Sequence, residues 1–291
     1  MNRRGFLALA AAAWLTPAYA AQFSATLSYD AQGRPMIDVM LNGSGPFRLV
    51  LDTGAAHTGL SAAAIETLAL REAGRARVHG ASGVQETPIY RLETVAVGAL
   101  ERRGLIAAML PNNPSAEGHA GVLGASTFLG ARISFDFAAD VFSVDDSAPR
   151  APLSGPHRTT VSFRHQTLAY CPVSVNGIEA SAVIDTGARR TIANAELRAA
   201  LGFAADDARL RAVENIGGAT AHTTATFAAE ARSIALAGHD FGGFEIAFAD
   251  LAVFPQLGLA DRPGLILGMD ILRRARTLTL DYASAEMAIA P

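Results

Sequence analysis

The sequence contains no lysine; all 24 of its basic residues are arginine. That absence excludes Schiff-base chemistry and the phosphate-binding loops that depend on a lysine. Positive charge is not in surplus either, since the formal net charge is −3 and no basic stripe runs along the chain, which argues against nucleic acid as a partner. Cysteine is nearly missing. Cys171 stands alone in the apolar run LAYCPVSV, so there is no internal disulfide, and a strand here would bury an inert thiol. The seven histidines show no metal-ligand spacing, and His239-Asp240 after Gly238 reads as a turn, so neither a metal site nor a cofactor is expected. Charged residues make up only 18% and hydrophobic residues 50%, enough for 291 residues to bury an ordinary core in one large or two small domains.

Long hydrophobic runs are also scarce, and the one that stands out is N-terminal. Arg3 and Arg4 precede the apolar run Phe6 to Leu15, followed by Pro17 and the small-residue site Ala18-Tyr19-Ala20. These are the three regions of a signal peptide, here residues 1–20, and the run is too short to anchor a bilayer. RRGFLA resembles a twin-arginine export signal. The expected mature protein begins near Ala21, is exported to the periplasm or secreted, and has no stable membrane insertion. It loses two Arg and the only Trp, Trp14, which takes the net charge from −3 to −5.

What the sequence does have is a long internal repeat. MIDVMLNGSGPFRLVLDTGA, ending at Ala55, matches LAYCPVSVNGIEASAVIDTGA, ending at Ala188. Each copy reads as an apolar strand, an Asn-Gly turn (Asn42-Gly43 or Asn176-Gly177) and a second strand that delivers an Asp-Thr-Gly. A short helix follows each, introduced by Ser61 or Asn194 as N-cap, with Gly202 closing the second. Gly-containing hairpins come next, at Val78 to Tyr90 and Val213 to Phe227. Each copy then ends on an apolar pair, a Gly (Gly124 or Gly268, with a packing role) and a final hairpin.

The segment 145–158, rich in Pro, Ser and charge and without an apolar period, separates a first lobe at 21–144 from a second at 159–291. The fold class expected is all-β with short helices, arranged as two compact lobes. Asp52 and Asp185 are the two acids that recur in equivalent contexts, 133 residues apart.

On these residues the chain resembles the retropepsin-like aspartic proteases, with two such domains in tandem. The carriers are Asp52-Thr53-Gly54-Ala55, Asp185-Thr186-Gly187-Ala188, the flap-like hairpins, and Val122-Leu123-Gly124 with Ile266-Leu267-Gly268. The resemblance implies two acid-protease β-barrel lobes about a pseudo-twofold axis, and a peptide or protein substrate. It also implies Asp52 and Asp185 as a catalytic dyad, Thr53 and Thr186 bonded across the lobe interface, and flaps at Gly80, Gly83, Gly217 and Gly218. Tyr90 lies beyond the turn and is left out of the site. After each Asp-Thr-Gly the chain departs from the retroviral pattern, with Ala56-His57 in one half and Arg189-Arg190 in the other, which bears on how substrate is held. The two arginines either line the cleft and favour acidic side chains or are surface residues paired with local acids.

Two carboxyls brought together cannot both ionise cheaply, so they share a proton, and one serves as base while the other serves as acid. Such a pair can activate water for peptide hydrolysis with no covalent nucleophile or metal. The backbone N–H groups of each Gly turn can hold the charge. The alternative is a non-catalytic peptide-binding or regulatory protein on the same scaffold. Because one chain encodes both halves, a monomer with intramolecular lobe pairing is expected.

Overall fold

Asn-Gly between two apolar runs forces a tight reversal, because both central residues must take positive φ and only Gly, with Asn next, does so readily. Both turns form in this way, with φ of 50° and 74° at Asn42-Gly43 and 50° and 84° at Asn176-Gly177. They join strands Pro35–Leu41 to Ser44–Asp52 and Leu168–Val175 to Ile178–Ile184. Each Asn also caps a neighbour: Asn42 Oδ1 accepts from the Thr94 N–H, and Asn176 Oδ1 from those of Arg232 and Ser233. The computed structural model describes residues 22–111, 118–165, 167–218, 220 and 222–291. The expected signal peptide at 1–20 lies outside them.

The second strand of each hairpin runs into the Asp through the centre of a sheet. Gly121–Gly124 lies parallel to Ser44–Asp52, with Leu51 opposite Leu123, and antiparallel to Thr58–Leu60. In the second half Gly264–Leu267 lies parallel to Ile178–Ile184 and antiparallel to Ile192–Ala193. The strand entering each Asp turn and the strand leaving it are thus both pinned to one apolar strand. Gly124 ends the first of these strands and Gly268 directly follows the second. A Cβ on either would run into the backbone carbonyl of His57 or Arg190. The chain is mostly β, with an eight-stranded sheet from the first half and a ten-stranded sheet from the second.

The short helices sit where their caps put them. Ser61 Oγ accepts from Ala64 N–H ahead of Ala62–Thr67, and Asn194 Oδ1 from Leu197 N–H ahead of Ala195–Ala200. Gly202 follows the second with φ of 80°, whereas the first ends on Ala69, an alanine at φ of 47°. The turn expected at His239-Asp240 falls earlier, on Ala237-Gly238 at φ of 50° and 77°. His239 already belongs to the return strand, because the left-handed pair carries the reversal.

A third sheet joins the halves. Its six strands run in the order Gln22–Thr26, Val141–Asp145, Arg132–Asp136, Thr277–Asp281, Glu286–Ala290 and Arg158–Thr160. The junction is the antiparallel pair Arg132–Asp136 with Thr277–Asp281, where Ser134 faces Thr279 and their hydroxyls lie 3.0 Å apart. Arg132 reaches across to Asp281 at 2.8 Å, and Arg150 approaches the same carboxyl at 3.5 Å. Phe128 packs edge to face on Phe142, Phe135 lies tilted against the same ring, and one continuous core runs through both halves. Cys171 is buried in that core, its thiol pushed up to about 12 by burial, and Tyr90 is buried there too. Among the described residues no helix is long and apolar enough to cross a membrane.

Candidate active site

A Thr after each Asp knits the two turns together. Thr53 Oγ1 donates to the Ile184 carbonyl at 2.7 Å and Thr186 Oγ1 to the Leu51 carbonyl at 2.7 Å. Each hydroxyl in turn accepts from the other's backbone N–H, at 3.2 Å from Thr53 and 3.0 Å from Thr186. The hydroxyl oxygens are 3.4 Å apart, and both residues are buried. The four bonds are paired by a pseudo-twofold relation, and they fix the two turns against each other with every polar group satisfied.

Each carboxyl is then held by its own turn. Asp52 Oδ1 accepts from Gly54 N–H at 3.0 Å and Ala55 N–H at 2.9 Å, and Asp185 Oδ1 from Gly187 N–H at 2.8 Å and Ala188 N–H at 2.9 Å. The glycines face the opposite acids: a Cβ on Gly54 would fall inside the carboxyl of Asp185, and one on Gly187 inside that of Asp52. Each acid therefore occupies the space that the other half's glycine leaves open. One oxygen of each is tied down by its own turn.

Both carboxyls are surrounded by protein while keeping a part-exposed face. Burial pushes both above the ordinary carboxylate range. For Asp52 this is opposed first by the charge of Arg34 and then by the turn N–H groups. For Asp185 the charge of Asp52 adds to burial and drives it well above. The pair can hold one proton between them and present one ionised and one neutral oxygen to a water or a carbonyl.

The predicted flap hairpins form from Glu72–Gly80 with Gly83–Val97 and from Arg211–Ile216 with Thr224–Ala231. Their tips meet across the halves: Ser82 Oγ donates to the Ile216 carbonyl at 2.7 Å, and Ala81 O accepts from Val253 N–H at 3.3 Å. Gly80 lies against Thr220, Gly83 against the ring of His222, and Gly218 against Ala81, while Gly217 is less crowded. Ala81, Ile216 and Val253 pack with Ala56 and Ala188, which flank the dyad, on a buried patch that includes Leu168, Val183 and Phe254. Arg189 and Arg190 are both ion-paired, with Glu214 at 2.6 Å and Glu245 at 3.6 Å, and Glu245 also meets Arg211. Acids of the protein itself thus meet both charges.

Three contributors were not singled out in the sequence. Asp270 anchors the turn after Asp185, accepting from the Thr191 N–H at 3.0 Å and hydroxyl at 2.7 Å, and Thr191 Oγ1 accepts from Gly268 N–H. Thr58 Oγ1 plays the matching part toward Gly124 N–H in the first half, where Ser126 stands in place of Asp270. Arg34 is the third, and its charge acts on Asp52. Among the described residues no group of three or more His, Cys, Asp or Glu side chains is arranged to hold a metal ion.

No curated protein matches the chain. The profile of the aspartyl protease family matches it twice, over residues 37–127 and 171–271. The two segments make up most of the chain, and each contains one Asp-Thr-Gly turn with the strand that pins it. The chain belongs to the aspartyl protease family, with two retropepsin-like domains in tandem forming one two-lobed β fold.

Proposed function

We propose that the protein is an aspartic endopeptidase that hydrolyses peptide bonds with water activated between Asp52 and Asp185. The observation that carries the proposal is the reciprocal seating of the acids, each held on one oxygen by its own turn and abutted by the other half's glycine. The ionised carboxylate takes a proton from the water as its oxygen attacks the scissile carbonyl. The neutral carboxyl hydrogen-bonds the carbonyl oxygen and stabilises the tetrahedral intermediate. Collapse passes a proton to the leaving amine, the C–N bond breaks, and the dyad again holds one proton.

The apolar patch formed by Ala56, Ala81, Ala188, Ile216 and Val253 supports a substrate with apolar side chains near the cut. A binding-only protein on this scaffold would gain nothing from two like-charged groups desolvated against each other, so the buried pair favours the enzyme. The strand pairing between the halves supports one chain supplying both acids, with export as the expected route to its substrates.

The test is a proteome-derived peptide library incubated from pH 3 to 8, with and without a transition-state-mimicking inhibitor of aspartic proteases. Wild type should cleave with inhibitor sensitivity, while Asp52→Asn and Asp185→Asn should each be inactive though folded. Peptide binding by a wild type that cleaves nothing would support the binding-protein alternative instead.

A further inference from the structure

The two hairpins that deliver the acids share the Asn-Gly turn, although the first shifts register between Val39 and Leu41 and the second does not, and they differ at the position beside the acid. In the first, the ladder ends at Met36 with Val50, and the same register carried two residues beyond it sets Arg34 across from Asp52. In the second, Tyr170 pairs with Val183, and the same step sets Leu168 opposite Asp185. Residues facing each other across an antiparallel pair project to the same side of the sheet. Asp52 therefore has an arginine as its cross-strand neighbour, and Asp185 has a buried leucine.

Arg34 is held in place. Its guanidinium meets Asp30 at 2.6 Å and lies 3.2 Å from His119 Nε2, and only 16% of its side chain is exposed. Asp30 is itself fixed, with Oδ1 accepting from the N–H groups of Gln32 and Arg34, both at 2.9 Å. Burial, together with the charge of Arg34, pushes His119 below its ordinary range, so it adds no second cation at neutral pH. The other charged groups around the dyad are accounted for. His57 is exposed, Arg189 and Arg190 are taken up by Glu214 and Glu245, and Arg273 lies over the ring of Tyr29. The strongest influence favouring an ionised Asp52 is Arg34, and Asp185 has no cation to match it.

Building on the peptidase reading above, we propose that Arg34 is a positioning residue that divides the work of the dyad. It holds Asp52 as the ionised member, which takes the proton from water, and leaves Asp185 to carry the shared proton toward the carbonyl oxygen. Two equivalent acids would exchange these roles freely. A cation on one side and an aliphatic side chain on the other fix them.

The test is a carbon-13 NMR titration of the single carboxyl left in each of two variants, Asp52 in Asp185→Asn and Asp185 in Asp52→Asn, with Arg34 intact or replaced. Arg34→Met should raise the Asp52 midpoint by about one pH unit and leave that of Asp185 within about 0.3 unit. Arg34→Lys, which keeps the charge, should restore most of the Asp52 value. The acid limb of kcat/KM should move upward with Asp52 in the otherwise wild-type enzyme. An Asp52 midpoint that stays put, or an Asp185 midpoint that moves as far, overturns the proposal.

Should Arg34→Met fail to fold, Asp30→Asn keeps the caps and removes the counter-charge, so the Asp52 midpoint should then fall; a rise or no movement overturns the proposal equally. The titration needs no substrate. A chain that cleaves nothing but shows the selective shift would refute the peptidase reading and leave the hold of Arg34 on Asp52 standing, and cleavage without the shift would do the reverse.

Discussion

Gly187 lies against the carboxyl of Asp52 with no room for a side chain between them. Asp52 cannot retreat, because its Oδ1 is tied to the N–H groups of Gly54 and Ala55. Gly187→Ala should therefore displace the acid and spread the dyad, as should Gly54→Ala from the other side. A displacement of about 1 Å is enough to lower kcat by roughly 10²-fold. Steady-state kinetics on a cleaved peptide, with circular dichroism to establish folding, checks this. An alanine variant with wild-type kcat would mean that the carboxyl spacing is not set by this contact.

The threonine pair should behave as one unit. Thr53→Val leaves the Ile184 carbonyl and the Thr186 N–H without their partner in a buried site, at about 1–3 kcal/mol for each orphaned group. Thr53→Ser keeps the hydroxyl and should lose much less. Since the two hydroxyls are 3.4 Å apart, the valine double variant should be less destabilised than the sum of the singles, with a coupling above about 0.5 kcal/mol. Urea denaturation of the cycle measures it, and simple additivity would show that the bonds act separately.

Both dyad carboxyls bind protons more tightly in the folded chain than in the unfolded one, because burial raises them. The folded state then holds the extra proton, so stability from this source is present below the ordinary carboxylate range near pH ~4 and lost as pH rises through the folded values. Asp185→Asn removes the penalty. Its melting temperature should exceed that of wild type at pH 7.5, and the gain should disappear at pH 3.5. A gain of equal size at both values would trace the effect to something other than ionisation.

Arg189 and Arg190 already have acids in reach, and their side chains are 44% and 37% exposed. Exposed pairs of this kind contribute at most about 1 kcal/mol, and an acidic substrate would have to displace a protein carboxylate to use them. Replacing both with Ala should alter the ratio of kcat/KM for acidic and neutral peptides by less than about threefold, within that ~1 kcal/mol. A tenfold loss confined to acidic peptides would instead assign the arginines to substrate.

The helix after the first Asp turn ends on Ala69 in the left-handed region, where its counterpart after the second ends on Gly202. Ala69 is exposed, so Ala69→Gly meets no packing loss and relieves a conformation that costs an L-residue about 1 kcal/mol. The variant should melt higher than wild type. Gly202→Ala should lose a similar amount, and thermal denaturation of the pair decides both.

Features made by neighbours in the chain could be read directly. Asn42-Gly43 and Asn176-Gly177 announce their turns because few residues tolerate positive φ, and Ser61 and Asn194 announce their helices because a cap needs a short acceptor. The seating of Asp52 against Gly187 was only implied, through the repeat and the resemblance. The pairing of Arg132–Asp136 with Thr277–Asp281 left no mark, since each strand reads as the first half of an ordinary hairpin and nothing local says which edge it will meet. Arg34 was hidden for another reason: four residues after Asp30 it looks like a loop ion pair, and counting back from the Asn-Gly turn sets it opposite Leu51, because the register shift between Val39 and Leu41 that moves it to Asp52 leaves no local mark.

The six-stranded sheet has a consequence for how the protein must be made. Strand Arg132–Asp136 has Val141–Asp145 on one side and depends on the other half for its second neighbour, and Thr277–Asp281 stands in the mirror position. Released as separate polypeptides, each half would present an open β-edge whose natural mate is absent and whose own twin is the next best fit. The half synthesised first spends the time needed to translate the second with that edge uncovered. During that interval self-association competes with folding until Thr277–Asp281 emerges.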